Sequence, residues 1–262
     1  MSEFIRVASF NVNGIRARLP SLVAWLQEAR PDVACLQETK VQDVEFPREP
    51  LEAQGYQCVF RGEKGFNGVA VLSRGPVEVL RVGLDDGLSG DESRLILVRV
   101  AGIALLNTYV PQGTSPDSDR FRYKIRWFER LRVFMERAFR PEDNVIWVGD
   151  FNVAPEPTDV YDPERLRGEI GFHPEEHRAL DEVRQWGWLD VFRCHVHEGG
   201  HYTFWDYRIR NALARGMGWR VDHIWATEPM AHRSVRAWVD VKPRQAQRPS
   251  DHAPILAEFH AD

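Results

Sequence analysis

Val145-Ile146-Trp147-Val148-Gly149-Asp150-Phe151-Asn152 is an apolar run that breaks abruptly into a carboxylate and, two residues on, an amide. The run is too short for a helix and rich in residues that suit a pleated surface, so it predicts a strand buried in a sheet. A strand's period of two sends Asp150 and Asn152 to the same face. The C-terminal ends of strands are where α/β folds usually carry their chemistry.

Seven more runs of this kind predict strands at Ile5–Phe10, Val33–Leu36, Val69–Leu72, Leu95–Val100, Ala104–Val110, Val221–Ala226 and Ile255–Phe259, with Val145–Val148 as the eighth. Phe121, Ile125, Phe128, Leu131, Met135 and Phe139 recur at three- and four-residue spacing, which predicts one apolar helix stripe facing the core. Shorter helices are predicted from Leu22 to Ala29, ended by Pro31, and from Glu175 to Trp186, which follows Pro174 and has acids in its first turn. Gly83 to Asp91 and Pro155 to Pro163 read as loops. Many strands and few helices predict an α/β (α+β) fold of two packed β-sheets with helices outside. With no repeat and no linker in 262 residues, one domain spanning 1–262 is expected.

The chain is 43% apolar and has 29 aromatic residues, which is material for a core and leaves no case for disorder. No window offers about 18 consecutive apolar residues, and Met1-Ser2-Glu3 does not open a signal peptide, so a soluble cytoplasmic protein without membrane contact is expected. A net charge of −5 argues against a generic polyanion binder, because phosphate affinity comes from Lys and Arg releasing counterions. Any nucleic-acid face must be local. Cys35, Cys58 and Cys194 lack metal spacing, and Cys35 lies in an apolar run that predicts a buried thiol.

Polar residues recur at the ends of the apolar runs. The first runs into Asn11-Val12-Asn13-Gly14, the second into Gln37-Glu38-Thr39-Lys40, a third into Asn107-Thr108-Tyr109-Val110-Pro111-Gln112. Each alone is weak, since Asn before Gly is also a turn signal. Trp219-Arg220-Val221-Asp222-His223 places an acid inside an apolar strand, where it is costly unless paired, and Ser250-Asp251-His252 sets an imidazole before the last strand. His252 is the natural partner of Asp222: a carboxylate on one ring nitrogen fixes the tautomer and leaves the other nitrogen for a substrate.

These residues supply hard oxygen donors and an oriented histidine, with no Cys/His zinc spacing and no glycine-rich phosphate loop. Oxygen donors point to Mg²⁺ or Mn²⁺. Cleaving a phosphodiester needs charge relief on the phosphoryl oxygens, an oriented water and a stabilised leaving oxygen, which such a set can provide.

The motifs FNVNG, LQETK, NTYVPQG, GDFNVAP, GWRVDHIWAT and PSDHAP, running in order from residue 10 to residue 254, resemble those of the endonuclease/exonuclease/phosphatase superfamily, and within it exonuclease III and AP endonucleases. The resemblance implies a DNase I-like four-layer sandwich of two mixed sheets flanked by helices. It implies that Glu38, with Asn11 and Asp251 nearby, holds the metal, with Asp150, Asn152 and His252 facing it. Asp150 would orient or deprotonate the attacking water with help from Asn152, His252 on Asp222 would contact the scissile phosphate, and Tyr109 would stabilise the transition state or leaving group. Gln112 and Arg94 look like phosphate contacts. GFHPEE at Gly171 to Glu176 and YTFWDYR at Tyr202 to Arg208 look like AP endonuclease segments. Phe204, Trp219 and Val221 would then wall an apolar pocket for the abasic sugar, which a nucleotide with its base would not fit. Asn13 departs from the pattern, since some relatives carry Asp there.

The implied partner is double-stranded DNA with abasic sites or damaged 3′ ends, acted on by a monomer. Basic residues beside the motifs that could track its backbone are Arg16, Arg18, Lys40, Arg120, Arg122, Lys124, Arg208 and Arg210. Two readings compete with incision 5′ to abasic sites accompanied by 3′→5′ exonuclease and 3′-phosphatase action. One is a DNase I-like nuclease or small-phosphoester phosphatase on the same scaffold, and the other a non-catalytic nucleic-acid-binding regulator.

Overall fold

The computed structural model describes residues 3–88 and 93–261. Among them, twelve strands form two six-stranded sheets. The first sheet runs, edge to edge, Ser234–Val239 (β11), Ile255–His260 (β12), Phe4–Asn11 (β1), Val33–Gln37 (β2), Val69–Ser73 (β4) and Gln57–Arg61 (β3). The second runs Val77–Val82 (β5), Leu95–Val100 (β6), Ile103–Tyr109 (β7), Val145–Asp150 (β8), Asp222–Ala226 (β10) and Leu189–Asp190 (β9). Both sheets are mixed: β1 and β2 pair in parallel, as do β7 and β8, and the other pairs are antiparallel.

Alternation along each strand explains why the runs are apolar throughout. Val33 and Cys35 of β2, with Val7 and Val71, face Val98, Leu105, Ile146, Val148 and Ile224 of the second sheet in one shared core. Ala34 and Leu36 point the other way, with Phe10 and Leu72, against Ile15, Leu22, Trp25 and Leu26 of the helix Ile15–Ala29. On the far side Leu106, Trp147 and Trp225 pack on Trp127, Phe128, Leu131 and Met135 of the helix Asp119–Ala138, and on Ala179, Leu180 and Val183 of the helix Pro174–Arg184. A strand covered on both faces needs no polar alternation. The four layers are helix, sheet, sheet, helix.

The two sheets are also clipped by amides. Gln37 Nε2 donates to Asn107 Oδ1 at 2.8 Å, and Asn107 Nδ2 reaches across to Ala70 O at 2.9 Å and Leu36 O at 3.1 Å. Asn107 is therefore a link between sheets and not a site group.

All eight expected strands form, and Cys35 is buried. The helix expected from Leu22 starts at Ile15 and carries Pro20 inside it. In the expected loop from Gly83 to Asp91, residues 83–88 form no helix or strand, and 89–91 lie outside the described residues. The loop from Pro155 to Pro163 contains a 3-10 turn, Pro157–Asp159. No described helix is long and apolar enough to cross a membrane.

Candidate active site

The two parallel strand pairs bring four C-terminal strand ends together, those of β1, β2, β7 and β8. Register sets Tyr109 opposite Asp150 on one side and Asp222 opposite Asp150 on the other. Gly149 makes the close approach possible: its φ is +149°, and a Cβ there would stand 1.9 Å from the Thr108 carbonyl oxygen. Past the strand ends the chain turns sharply, with Glu38 at φ 52°, Lys40 at φ 54° and Asn152 at φ 51°. Left-handed backbone at non-glycine residues is uncommon and is held here by surrounding contacts.

Those contacts form a continuous polar chain. Asn11 Nδ2 donates to Glu38 Oε1 and to Asp150 Oδ2, both at 2.8 Å, so one amide binds both carboxylates. Lys40 Nζ lies 2.6 Å from Glu38 Oε2 and also donates to Asn13 Oδ1, while Asn13 Nδ2 donates to Asp251 Oδ1 at 2.8 Å. Asn152 donates its backbone N–H to Asp150 Oδ1 at 2.8 Å and its amide to Val110 O at 2.9 Å. His252 Nδ1 donates to Asp222 Oδ2 at 2.7 Å, which leaves Nε2 facing Asp150 Oδ2 at 3.9 Å. Of the expected metal residues, Glu38, Asp150 and His252 offer ligand atoms within 4.8 Å of one another, with the Asn11 amide between the two acids. Asn13 ties Asp251 to the rest, and Asn152 presents an N–H to Asp150.

Burial pushes the Asp150 carboxyl upward, and the charges of Asp222 and Glu38 push the same way against His252. Burial alone would lower His252, but Asp222 and Asp150 raise it to about 10, so it is an imidazolium at neutral pH. For Glu38 the cost of burial is outweighed by Lys40 and Asn11, and its carboxyl lies below the ordinary range. Burial, then Glu38 and Asp150, hold the Tyr109 phenol well above its ordinary value, which keeps it a proton donor. The donor set fits a hard divalent cation: Glu38 already draws the Lys40 ammonium, and Asp150, crowded by Glu38 and Asp222, is left with its charge disfavoured.

Phe204 bridges in antiparallel fashion to both Trp219 and His252, with its ring 4.9 Å from the imidazole. Phe204 and Trp219 are half-buried and Val221 is buried, and Trp219 packs against Val160 and Phe172. Arg94 is buried beneath Tyr109, its guanidinium 4.7 Å from the ring and its Nη1 donating to Tyr109 O at 3.1 Å. Gln112 is exposed just past Tyr109. Arg16, Arg122 and Arg208 are exposed and pair with Glu45, Asp119 and Asp206. Such surface pairs are weak and leave the guanidinium open to a phosphate.

Lys124 is a correction. It is fully buried, donating to Glu176 Oε1 at 2.5 Å, Asn152 O at 2.7 Å and Gln112 O at 3.2 Å, and it cannot reach a DNA phosphate. Glu176 in turn accepts the Gly171 and His173 backbone N–H groups. This ion pair fixes three loops around the site.

Two supporting residues escape a reading of the sequence. Thr203 Oγ1 accepts the Val221 and Asp222 N–H groups at 3.1 Å, and Ser250 Oγ donates to Asn11 O at 2.7 Å while accepting His252 N–H at 3.1 Å. Ser250 stands next to Asp251 in the chain, a signal that could have found it, whereas Thr203, between Tyr202 and Phe204, offers none. Arg220 and His223, inside the GWRVDHIWAT motif, are structural: buried Arg220 binds Asp159 at 2.7 and 2.9 Å and Asp190 at 2.8 Å. Burial and Arg220 lower His223 to about 4, so it is neutral.

Residues 8–252 match the Endonuclease/Exonuclease/phosphatase family. The chain is 32% identical to exodeoxyribonuclease III of Haemophilus influenzae over 97% of this chain and 100% of the relative. Among solved structures it is similar to an AP endonuclease from Archaeoglobus fulgidus, at 45% identity and a TM-score of 0.94 over 97% of this chain and 99% of the other. It is also similar to a 3′-phosphatase from Neisseria bound to a product DNA hairpin, at 34% identity and a TM-score of 0.93, with 97% and 99% covered.

Proposed function

The chain belongs to the Endonuclease/Exonuclease/phosphatase family, and from that premise we propose a metal-dependent DNA phosphodiesterase of base-excision repair that incises duplex DNA 5′ to abasic sites. The exonuclease and 3′-phosphatase relatives support action by the same site on damaged 3′ ends. The observation that carries the reading is the buried line Asp222–His252–Asp150 meeting Glu38 and Asn11 at one edge of the sandwich.

Asp150, whose carboxyl is raised toward neutrality, takes a proton from the attacking water, and the Asn152 N–H orients it. His252, charged and oriented by Asp222, holds the phosphoryl oxygens as negative charge grows there. Tyr109 supplies a neutral O–H toward the leaving oxygen as the P–O bond breaks. Glu38, with Asn11 and Asp251 at its side and Asp150 facing it, would hold Mg²⁺ or Mn²⁺, which when bound would neutralise phosphoryl charge, while His252, protonated on both ring nitrogens, would stay on the phosphate and leave the ion to the oxygen donors. Phe204, Trp219 and Val221 admit a base-free sugar, and Arg16, Lys40, Gln112, Arg122 and Arg208 contact the backbone; Arg94, expected among them, is buried beneath Tyr109 and supports that phenol instead.

Incision of a labelled duplex carrying one tetrahydrofuran residue, with Mg²⁺, Mn²⁺ and EDTA, tests the proposal. Cleavage that needs the ion is expected, and cleavage that survives EDTA refutes metal dependence.

A further inference from the structure

His252 is carried by a loop and not by a strand, so side chains must hold it in place. Three consecutive carbonyl groups ahead of it are each tied down by one cluster. The Tyr207 hydroxyl donates to Pro249 O, Arg244 Nη1 donates to Ser250 O, and the Trp205 backbone N–H donates to Asp251 O at 2.9 Å. The Arg244 guanidinium lies 5.7 Å from the Trp205 ring and 5.5 Å from the Tyr207 ring. Trp205 is buried and Tyr207 exposed. The segment so held is the one in which Ser250 grips Asn11 O and the His252 N–H, and Asp251 receives the Asn13 amide.

We propose that Arg244, braced on Trp205 and Tyr207, is a positioning residue that sets the place of Asp251 and His252 in the site. A planar guanidinium lies against two aromatic rings and still donates in its own plane to a carbonyl, a combination a lysine ammonium lacks. The same strap that bears Trp205 and Tyr207 bears Phe204 of the proposed pocket wall, so wall and histidine are set from one element. A displacement of about 1 Å in a catalytic group costs on the order of 10²-fold in rate.

The proposal rests on the reading of Asp251 and His252 as site residues, and its test has one arm that needs no DNA. Arg244→Met, Arg244→Lys and Tyr207→Phe are prepared in the full chain. Mn²⁺ affinity is measured without DNA by the loss of the free-ion paramagnetic resonance signal, and kcat and KM are measured on the abasic duplex. Arg244→Met is expected to weaken Mn²⁺ binding and lower kcat by about tenfold each, with KM for DNA nearly unchanged. Arg244→Lys recovers only part of the loss, and Tyr207→Phe shows a smaller loss in the same direction. A brace that serves stability alone would lower the thermal midpoint and leave Mn²⁺ affinity and kcat of the folded protein at wild-type values, and that result overturns the proposal. Should Arg244→Met fail to fold, wild-type Mn²⁺ affinity and kcat in both other variants overturns it equally. Wild-type protein inactive on abasic DNA, with Mn²⁺ binding still weakened in the variants, would refute the substrate and support the positioning role.

Discussion

Asp222 gives one oxygen, Oδ2, to the His252 Nδ1–H at 2.7 Å, while its other oxygen is buried with no hydrogen-bond partner among the described residues. The charge of a fully buried carboxylate is thus directed at a single imidazole, where low polarity makes it strong. Asp222→Asn keeps the shape and removes the charge. It is expected to lower kcat by about 10²–10⁴-fold, with a small effect on KM, in single-turnover incision assays.

The same pair makes stability depend on pH. His252 is raised from 6.5 to about 10 in the folded protein, so its proton stabilises the fold fully below about pH 6.5, and that contribution is lost as pH rises through 10. Urea unfolding of metal-free protein is expected to show stability falling across this window. Asp222→Asn should flatten the fall, and an equal slope in the variant would contradict the assignment.

Asp150 presents the opposite balance of stability and activity. Its charge is disfavoured by burial and by Asp222 and Glu38, so Asp150→Asn removes a repulsion from the metal-free fold. Turnover should fall by at least about 10³-fold, since the base is gone, while the thermal midpoint in EDTA rises. A midpoint that drops would show that the Asn11 and Asn152 bonds outweigh the repulsion.

Lys124→Met tests whether this buried lysine serves the fold and not the DNA. Breaking a fully buried ion pair by removing one partner costs about 3–5 kcal/mol, read as a lower urea midpoint. The salt dependence of DNA binding should stay as in wild type, whereas losing a true phosphate contact such as the one proposed for Arg208 would reduce the slope by about one.

The interior of this fold is legible in the sequence because burial on both faces writes an unbroken apolar run. The strands that a reading of the sequence misses, Gln57–Arg61, Val77–Val82, Leu189–Asp190 and Ser234–Val239, are the four sheet edges. Val77–Val82, with Glu78 and Arg81 exposed and Val79 and Val82 turned to solvent, carries no apolar stripe from which to read it. The site residues are legible for a related reason: a carboxylate or amide at the end of an apolar run is out of place unless it is used. Lys124 misled because its helix reads as basic, and the buried partner, Glu176, lies 52 positions away. No local pattern reports such a pairing.

This edge of the sandwich is proposed to cleave DNA at a sugar without a base. The most direct measurement is the Mg²⁺-dependent cleavage rate on three labelled duplexes: one with a single abasic analogue, one undamaged, and one with a recessed 3′ end. Incision immediately 5′ to the analogue, far faster than any cut in the undamaged duplex and abolished by EDTA, is predicted. Equal internal cutting of the abasic and undamaged duplexes would contradict the account and leave a nuclease that does not sense the missing base.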